Sequence, residues 1–255
     1  MDNYDRPDED VLQTSQTSRP SQSPRFSLRP WAVTVCLMFV AAILGGMIAL
    51  ALTGNRLDGN SVYEQVSPSV VSVESGQSRG SGVIYSSDGY VITCAHLVTN
   101  TGSLSVTLPD KRTLDAVLVG MDSEADLALL KVSSSTKLPA ARFGNSDKVK
   151  IGDLAFCIGN PGGITYARSF SFGVISGLNR TTQEAGGQTR KNLIQTDAAT
   201  SPGSSGGALV NIKGEVIGIN AVKVTTAGHE GMSFATPSNK VKALADEWIR
   251  NYEAR

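Results

Sequence analysis

Histidine restricts the chemistry open to this chain, because only His96 and His229 are present to act as a general base near neutral pH. His96 ends Gly89-Tyr90-Val91-Ile92-Thr93-Cys94-Ala95-His96, directly after a β-like run, where a strand end can hold an imidazole rigidly over a cleft. His229 lies between Gly228 and Glu230-Gly231, in a stretch that reads as a mobile surface loop. The hydroxyl best placed for attack is Ser205, in Asp197-Ala198-Ala199-Thr200-Ser201-Pro202-Gly203-Ser204-Ser205-Gly206-Gly207. Glycines on both sides let the backbone turn sharply and leave neighbouring N–H groups open to a ligand, which a nucleophile and an oxyanion hole both require. Taken alone, the same string is an ordinary Gly/Ser turn. Asp126 opens the apolar run Leu127-Ala128-Leu129-Leu130, so its carboxylate would be partly buried and in need of a donor such as an imidazole N–H. Asp122 is close by but belongs to the preceding turn.

The elements that must position these groups are β-strands. Short β-branched or alternating runs recur at 69–73, 82–85, 90–93, 104–108, 116–119, 127–132, 154–158, 169–175, 193–196, 207–210 and 215–219. Gly, Asp, Asn and Pro separate them, with hairpin signals at Ser86-Ser87-Asp88-Gly89 and Ile212-Lys213-Gly214. The pattern predicts an all-β barrel or sandwich and excludes a doubly wound α/β fold. One helix is expected at the end, with Ser238 as N-cap and Val241, Leu244, Ala245, Trp248 and Ile249 on one apolar face.

The N-terminal part is of another kind. Residues 1–30, acidic and then rich in Ser, Thr, Gln and Pro, read as a disordered cytoplasmic tail. Residues 31–53 carry no charge and suffice for the roughly 30 Å of a bilayer core, so a transmembrane anchor is expected there. A cleaved signal peptide, with Ala49-Leu50-Ala51 at the cleavage site, is the rival reading; its apolar region would be shorter. Arg19, Arg25 and Arg29 precede the segment and only Arg56 follows closely, which puts the N-terminus in the cytoplasm and the rest outside. A linker over 54–61 and a catalytic domain over 62–255 complete the expected organisation. Lys+Arg and Asp+Glu are equal at 23 each, so no basic field marks a nucleic-acid partner. Cys94 and Cys157 are the cysteines of the globular part. Their spacing fits no metal motif, and they read as two small buried hydrophobes, with a disulfide between them as the alternative.

Gly-Tyr-Val-Ile-Thr-Cys-Ala-His, Asp-Leu-Ala-Leu-Leu-Lys and Gly-Ser-Ser-Gly-Gly, in this order, resemble the three catalytic blocks of trypsin-like serine proteases. Further blocks narrow the resemblance to the HtrA/Deg branch: Ile158-Gly159-Asn160-Pro161-Gly162-Gly163, Gly173-Val174-Ile175-Ser176-Gly177-Leu178, Gln195-Thr196-Asp197-Ala198-Ala199 and Met232-Ser233-Phe234-Ala235-Thr236-Pro237-Ser238. The resemblance covers about residues 62–250. It implies a trypsin-like double β-barrel with a C-terminal helix. Ser205 would be nucleophile, His96 base and then acid, and Asp126 the holder of the tautomer. Gly203, Ser204 and Ser205 would supply oxyanion N–H groups, Thr200 and Met232 would line the specificity pocket, and Arg180 would match a sensor arginine of a regulatory loop. No cofactor and no metal are implied. Substrates would be unfolded or damaged proteins outside a bacterial cell membrane, in envelope quality control. Homotrimers are common in the family, though no residue pattern here decides for one.

Some positions depart from the pattern. Relatives usually continue into a PDZ domain, whereas this sequence stops at Arg255; a protease lacking that domain is expected unless the sequence is a fragment. Ser204 stands where Asn is common, Cys94 where Asn is commoner, and Thr200 where an aliphatic residue is usual. Gly203-Ser204-Ser205-Gly206-Gly207 also fits the Gly-x-Ser-x-Gly elbow of α/β-hydrolases, but the stretch after it has strands where that elbow needs a helix. The remaining alternative is a proteolytically silent, membrane-anchored chaperone or scaffold that keeps the protease fold.

Overall fold

The computed structural model describes residues 30–53, 58–99, 102–183, 189–223 and 231–255. The chain divides into two compact units, Met1–Arg56 and Leu57–Arg255. In the first, Pro30–Thr53 forms one helix, α1, with Pro30 at its opening, where a missing N–H costs nothing. The rest of the tail expected over 1–30 lies outside the described residues. Side chains are described for only part of α1, and among the described residues no helix is long and apolar enough to cross a membrane.

The second unit begins with a helix where a linker was expected over 54–61. Gly59–Val66 (α2) starts there because the Asp58 carboxylate accepts the N–H of Asn60 at 3.1 Å, and Val62 and Val66, one turn apart, bury together.

Among the described residues twelve strands follow, in two antiparallel barrels. Val70–Ser75 (β1), Ser78–Ile84 (β2), Tyr90–Thr93 (β3), Leu104–Thr107 (β4), Thr113–Asp122 (β5) and Leu127–Val132 (β6) close in the order β1-β2-β3-β6-β5-β4. Leu154–Gly159 (β7), Ser169–Gln183 (β8), Thr189–Thr196 (β9), Ala208–Asn211 (β10), Val216–Lys223 (β11) and Ser233–Pro237 (β12) close as β10-β11-β12-β9-β8-β7. This is the expected double barrel. β12 carries no clear alternation, Ser-Phe-Ala-Thr-Pro, and was legible only through its resemblance to a family block.

Alternation along each strand explains why so many runs are apolar on both faces. Val91 and Ala128 point into the first barrel, whereas their neighbours Ile92, Leu127 and Leu129 join a cluster between the barrels. In the second barrel Ala155, Cys157, Leu209 and Ile217 face inward, and Phe156, Ile158, Ala208 and Ile219 meet that shared cluster. A strand buried on both faces has no polar side to show, so period-2 polarity disappears from its sequence.

Ser238–Glu253 (α3) docks with the predicted face: Val241 and Ala245 are fully buried, and Leu244, Trp248 and Ile249 pack partly buried against the shared cluster. Its capping differs from expectation. Pro237 is the N-cap, and Ser238, already helical, sends its hydroxyl to the Gly144 carbonyl at 3.0 Å. Burial beneath the helix makes that tertiary acceptor available, so the side chain need not fold back on its own turn. Gly120 of β5 leaves room for the Trp248 indole, which a Cβ there would meet at 2.3 Å.

Candidate active site

The first barrel holds the imidazole and the carboxylate. β3 ends at Thr93, and His96 follows in the short turn Ala95–Leu97. Asp126 sits immediately before β6 with φ 53, a left-handed conformation that Asp tolerates better than most residues. Its side chain is 1% exposed. Oδ2 accepts a hydrogen bond from His96 Nδ1 at 2.8 Å, and Oδ1 accepts one from the His96 backbone N–H at 3.0 Å. Two bonds from one residue fix both the tilt of the ring and its tautomer, with the proton on Nδ1 and the lone pair on Nε2. The imidazole stays 45% exposed, so one edge remains accessible. Asp122 accepts the Ala125 N–H at 2.8 Å and serves the turn.

The second barrel supplies the loop between β9 and β10 that carries Ser205. Gly206, at φ +83, fits against the first barrel so closely that a Cβ would lie 2.0 Å from the Ser81 carbonyl oxygen and 2.7 Å from Thr93 Oγ1. Ser81 N–H donates to the Ser205 carbonyl at 2.8 Å, and Gly206 N–H to the Asn220 carbonyl at 2.7 Å. Ser205 Oγ donates to the Ala221 carbonyl at 3.2 Å. A Cβ on Gly80 would meet both Leu97, next to His96, at 2.3 Å and the Ser205 carbonyl oxygen at 3.1 Å. The serine and histidine segments therefore converge on β2.

Carbonyl ties orient the peptides around Ser205. The Pro202 carbonyl accepts from Gly162 N–H at 3.2 Å, the Gly203 carbonyl from Ser81 Oγ at 2.7 Å, and the Ser204 carbonyl from Gly207 N–H at 3.0 Å. In a trans peptide the N–H points opposite its carbonyl, so the Gly203 N–H is directed away from Gly162 and the Ser205 N–H away from the Gly207 N–H. Ser204, expected as a third oxyanion donor, is committed elsewhere: its N–H donates to the Ser201 carbonyl at 2.8 Å. Its short hydroxyl accepts from Ser201 N–H at 3.3 Å, closing the same turn.

Thr200 is buried, and its hydroxyl is 2.8 Å from that of Ser233; Met232, half-buried, precedes β12 directly. Arg180 lies exposed on β8 opposite Leu193, with its guanidinium over Gly177. His229 and residues 184–188 lie outside the described residues.

Sequence reasoning missed two residues. Ser81, fully buried, links Asn160 N–H, which donates to its hydroxyl at 2.8 Å, with the nucleophile loop. The small tripeptide Gly80-Ser81-Gly82 was its only signal. Arg190 of β9 reaches across to the first barrel: Nη2 lies 3.6 Å from Asp126 Oδ1, and Nη1 donates to the Ser123 carbonyl at 2.6 Å. Nothing in Thr189-Arg190-Lys191-Asn192 announces a buried cation, because Asn192 at φ 58 breaks the alternation.

Cys94 and Cys157 are free and buried, with sulfurs 3.3 Å from the Asn220 carbonyl and 3.6 Å from its Oδ1 respectively. Burial, and then the Asp126 charge, pushes the Cys94 thiol well up; burial raises Cys157 from 9.0 to about 12. Ligand atoms of Cys94, His96 and Asp126 lie within 4.8 Å of one another, a spacing that could hold a metal ion. Such an ion would need the thiolate that burial disfavours and would compete with the His96–Asp126 bond, so the set is better suited to proton transfer.

Two closed six-stranded barrels, with an Asp–His pair on one and a glycine-framed serine loop on the other, define a trypsin-like peptidase. The model of the trypsin-like peptidase domain matches residues 80–219. The chain is 43% identical over 176 residues to serine protease Do-like HtrB of Bacillus subtilis (strain 168), covering 67% of this chain and 38% of that protein. Identity to serine protease Do-like HtrA of the same organism is 39% over 205 residues, or 78% and 46% of the two chains. A probable periplasmic serine endoprotease, DegP-like, of Chlamydia pneumoniae is 42% identical over 174 residues, or 68% and 35%. The chain belongs to the trypsin-like peptidase family, and the relatives it resembles are named as serine proteases of HtrA and DegP-like type. It spans less than half the length of these relatives.

Proposed function

We propose that this chain is an HtrA-type serine endopeptidase that cleaves unfolded or damaged proteins, with His96, Asp126 and Ser205 as its triad. The observation that carries the reading is the buried Asp126 carboxylate, which grips both Nδ1 and the backbone N–H of His96. Ser205 Oγ attacks the scissile carbonyl as His96 Nε2 takes its proton, and the developing oxyanion is met by the N–H groups of Gly203 and Ser205. His96 then protonates the leaving amine, and water hydrolyses the acyl-enzyme by the same route. Thr200 and Met232 line the pocket for the residue before the scissile bond, and Arg180 belongs to a regulatory loop. Residues 31–53 anchor the chain in the cell membrane with the protease outside and the N-terminus in the cytoplasm; the uncharged sequence from Trp31 to Thr53, preceded by Arg19, Arg25 and Arg29, supports this reading. The membrane-anchored protease acts in envelope quality control, and a homotrimer is one state open to it.

The test is labelling of the full chain in detergent micelles with a fluorophosphonate, followed by peptide mapping and casein hydrolysis. Label on Ser205, with casein cleavage abolished in Ser205→Ala, is the expected result. Equal cleavage by wild type and mutant removes Ser205 from the mechanism, and no cleavage or label under varied activating conditions favours the silent scaffold. Protease shaving of intact cells is expected to digest or release the C-terminal unit; full protection contradicts the orientation.

A further inference from the structure

Arg190 is 2% exposed, and a guanidinium withdrawn so far from water needs partners to offset its lost hydration. It stands on β9 of the second barrel, yet the contacts described above are with the first: the carbonyls of Ser123 and Glu124, at 2.6 and 3.3 Å, and Asp126 Oδ1, at 3.6 Å. These partners form the turn that delivers Asp126 in its left-handed conformation. We propose that Arg190 is a positioning residue for the catalytic carboxylate, clamping the Asp126 turn across the barrel boundary and partly neutralising the charge that the His96 imidazole meets. The inference rests on the triad reading above.

Its electrostatic consequence has a definite sign. A buried cation beside Asp126 disfavours imidazolium, so losing it makes His96 easier to protonate. The titratable and charged groups that the described residues bring close are few. Cys94 stays neutral because burial and then the Asp126 charge hold its thiol well up, and arginine does not titrate. Asp122 is engaged by the Ala125 N–H, and Glu124 is exposed. His96 is therefore the group whose titration should register the clamp. A residue that served only the packing of β9 would leave it unmoved.

The experiment uses the full chain in detergent micelles with His229→Gln, which leaves His96 the sole histidine for NMR titration, alongside the pH dependence of kcat/KM for a peptide substrate. Arg190→Gln keeps donors without charge, and Arg190→Lys keeps charge without the planar fork. In Arg190→Gln the His96 midpoint and the acid limb are expected to rise together by about one pH unit. Its kcat is expected to fall roughly tenfold or more with KM within about twofold. Arg190→Lys is expected to return the midpoint to the wild-type value with part of the kcat. An unmoved midpoint in Arg190→Gln overturns the proposal, whatever happens to thermal stability. If Arg190→Gln does not fold, Arg190→Lys decides, by a fall in kcat at steady KM or by no change in kcat. A wild type inert to substrate and fluorophosphonate, with a midpoint that still moves in Arg190→Gln, defeats the protease reading alone.

Discussion

The two barrels share an architecture but contribute different kinds of chemistry. The first offers side chains, His96 and Asp126, fixed at strand ends by bonds of 2.8 and 3.0 Å. The second offers backbone: the loop from Asp197 to Gly207 arranges peptide groups around one hydroxyl, and glycines at φ +97 and +83 permit the path. Acid–base work needs an imidazole at one tilt, which short strands supply. Oxyanion stabilisation needs N–H groups pointed at empty space, which a regular strand cannot supply because its ladder uses them. The difference shows that precision on one side comes from burial of a carboxylate and on the other from ties to the opposite barrel through Ser81.

Removing the proposed nucleophile breaks the comparison most completely. Ser205→Ala is expected to lower kcat by about 10⁶ at a stability cost of no more than about 1 kcal/mol, since the carbonyl ties the loop to Ser81 and the hydroxyl makes one bond, to the Ala221 carbonyl. On the other barrel, Asp126→Asn is expected to cost about 10⁴ in kcat. It should also lose roughly 3 kcal/mol of stability in denaturant titration, because the buried Arg190 loses the Asp126 charge that faces it at 3.6 Å. Activity and stability thus separate in the second barrel and fall together in the first.

Gly206→Ala tests how far the nucleophile loop depends on its close approach to β2. A Cβ forced to 2.0 Å from the Ser81 carbonyl at φ +83 is expected to cost about 3 kcal/mol or more and to silence hydrolysis. The alkaline side probes a buried thiol in each barrel interior, since Cys94 in the first is pushed up as well. The Cys157 thiol is raised from 9.0 to about 12, so the native state binds more protons than the unfolded state between those values. Stability therefore falls as pH rises through this window, by up to about 1.4 kcal/mol per pH unit from this thiol. Cys157→Ala is expected to flatten that slope in urea midpoints measured from pH 8 to 11, and an unchanged slope would assign the loss to other groups. The smallest effect is expected from Thr200→Val, which deletes the hydroxyl pair with Ser233 at a cost of about 1 kcal/mol. Peptide-library profiling is expected to show a shift towards aliphatic residues before the scissile bond.

How much was legible in the sequence follows from how each feature is encoded. The strands of the barrels and the apolar face of α3 were readable because periodicity points to them, and His96 stood out by scarcity, whereas Asp126 and Ser205 became candidates only through the ordered blocks around them. β12 was not readable, since Ser233 to Pro237 has neither alternation nor strand composition. Arg190 and Ser81 were invisible for a deeper reason. Each acts through contacts 64 to 124 positions away along the chain, and local pattern carries no record of such distance. Ser238 looked like a helix cap because its type suits one, and only the fold reveals the Gly144 carbonyl that claims it.

The cluster shared between the barrels also governs when the molecule can form. Val70, Ile92 and Leu129 leave the ribosome long before Ala208, Ile219, Val241 and Ala245, the residues that cover them. A nascent first barrel accordingly carries a raw apolar flank until the last helix arrives, so assembly is a late, whole-chain event. The Asp126 turn waits equally for Arg190, which keeps an unfinished chain from holding a finished catalytic centre.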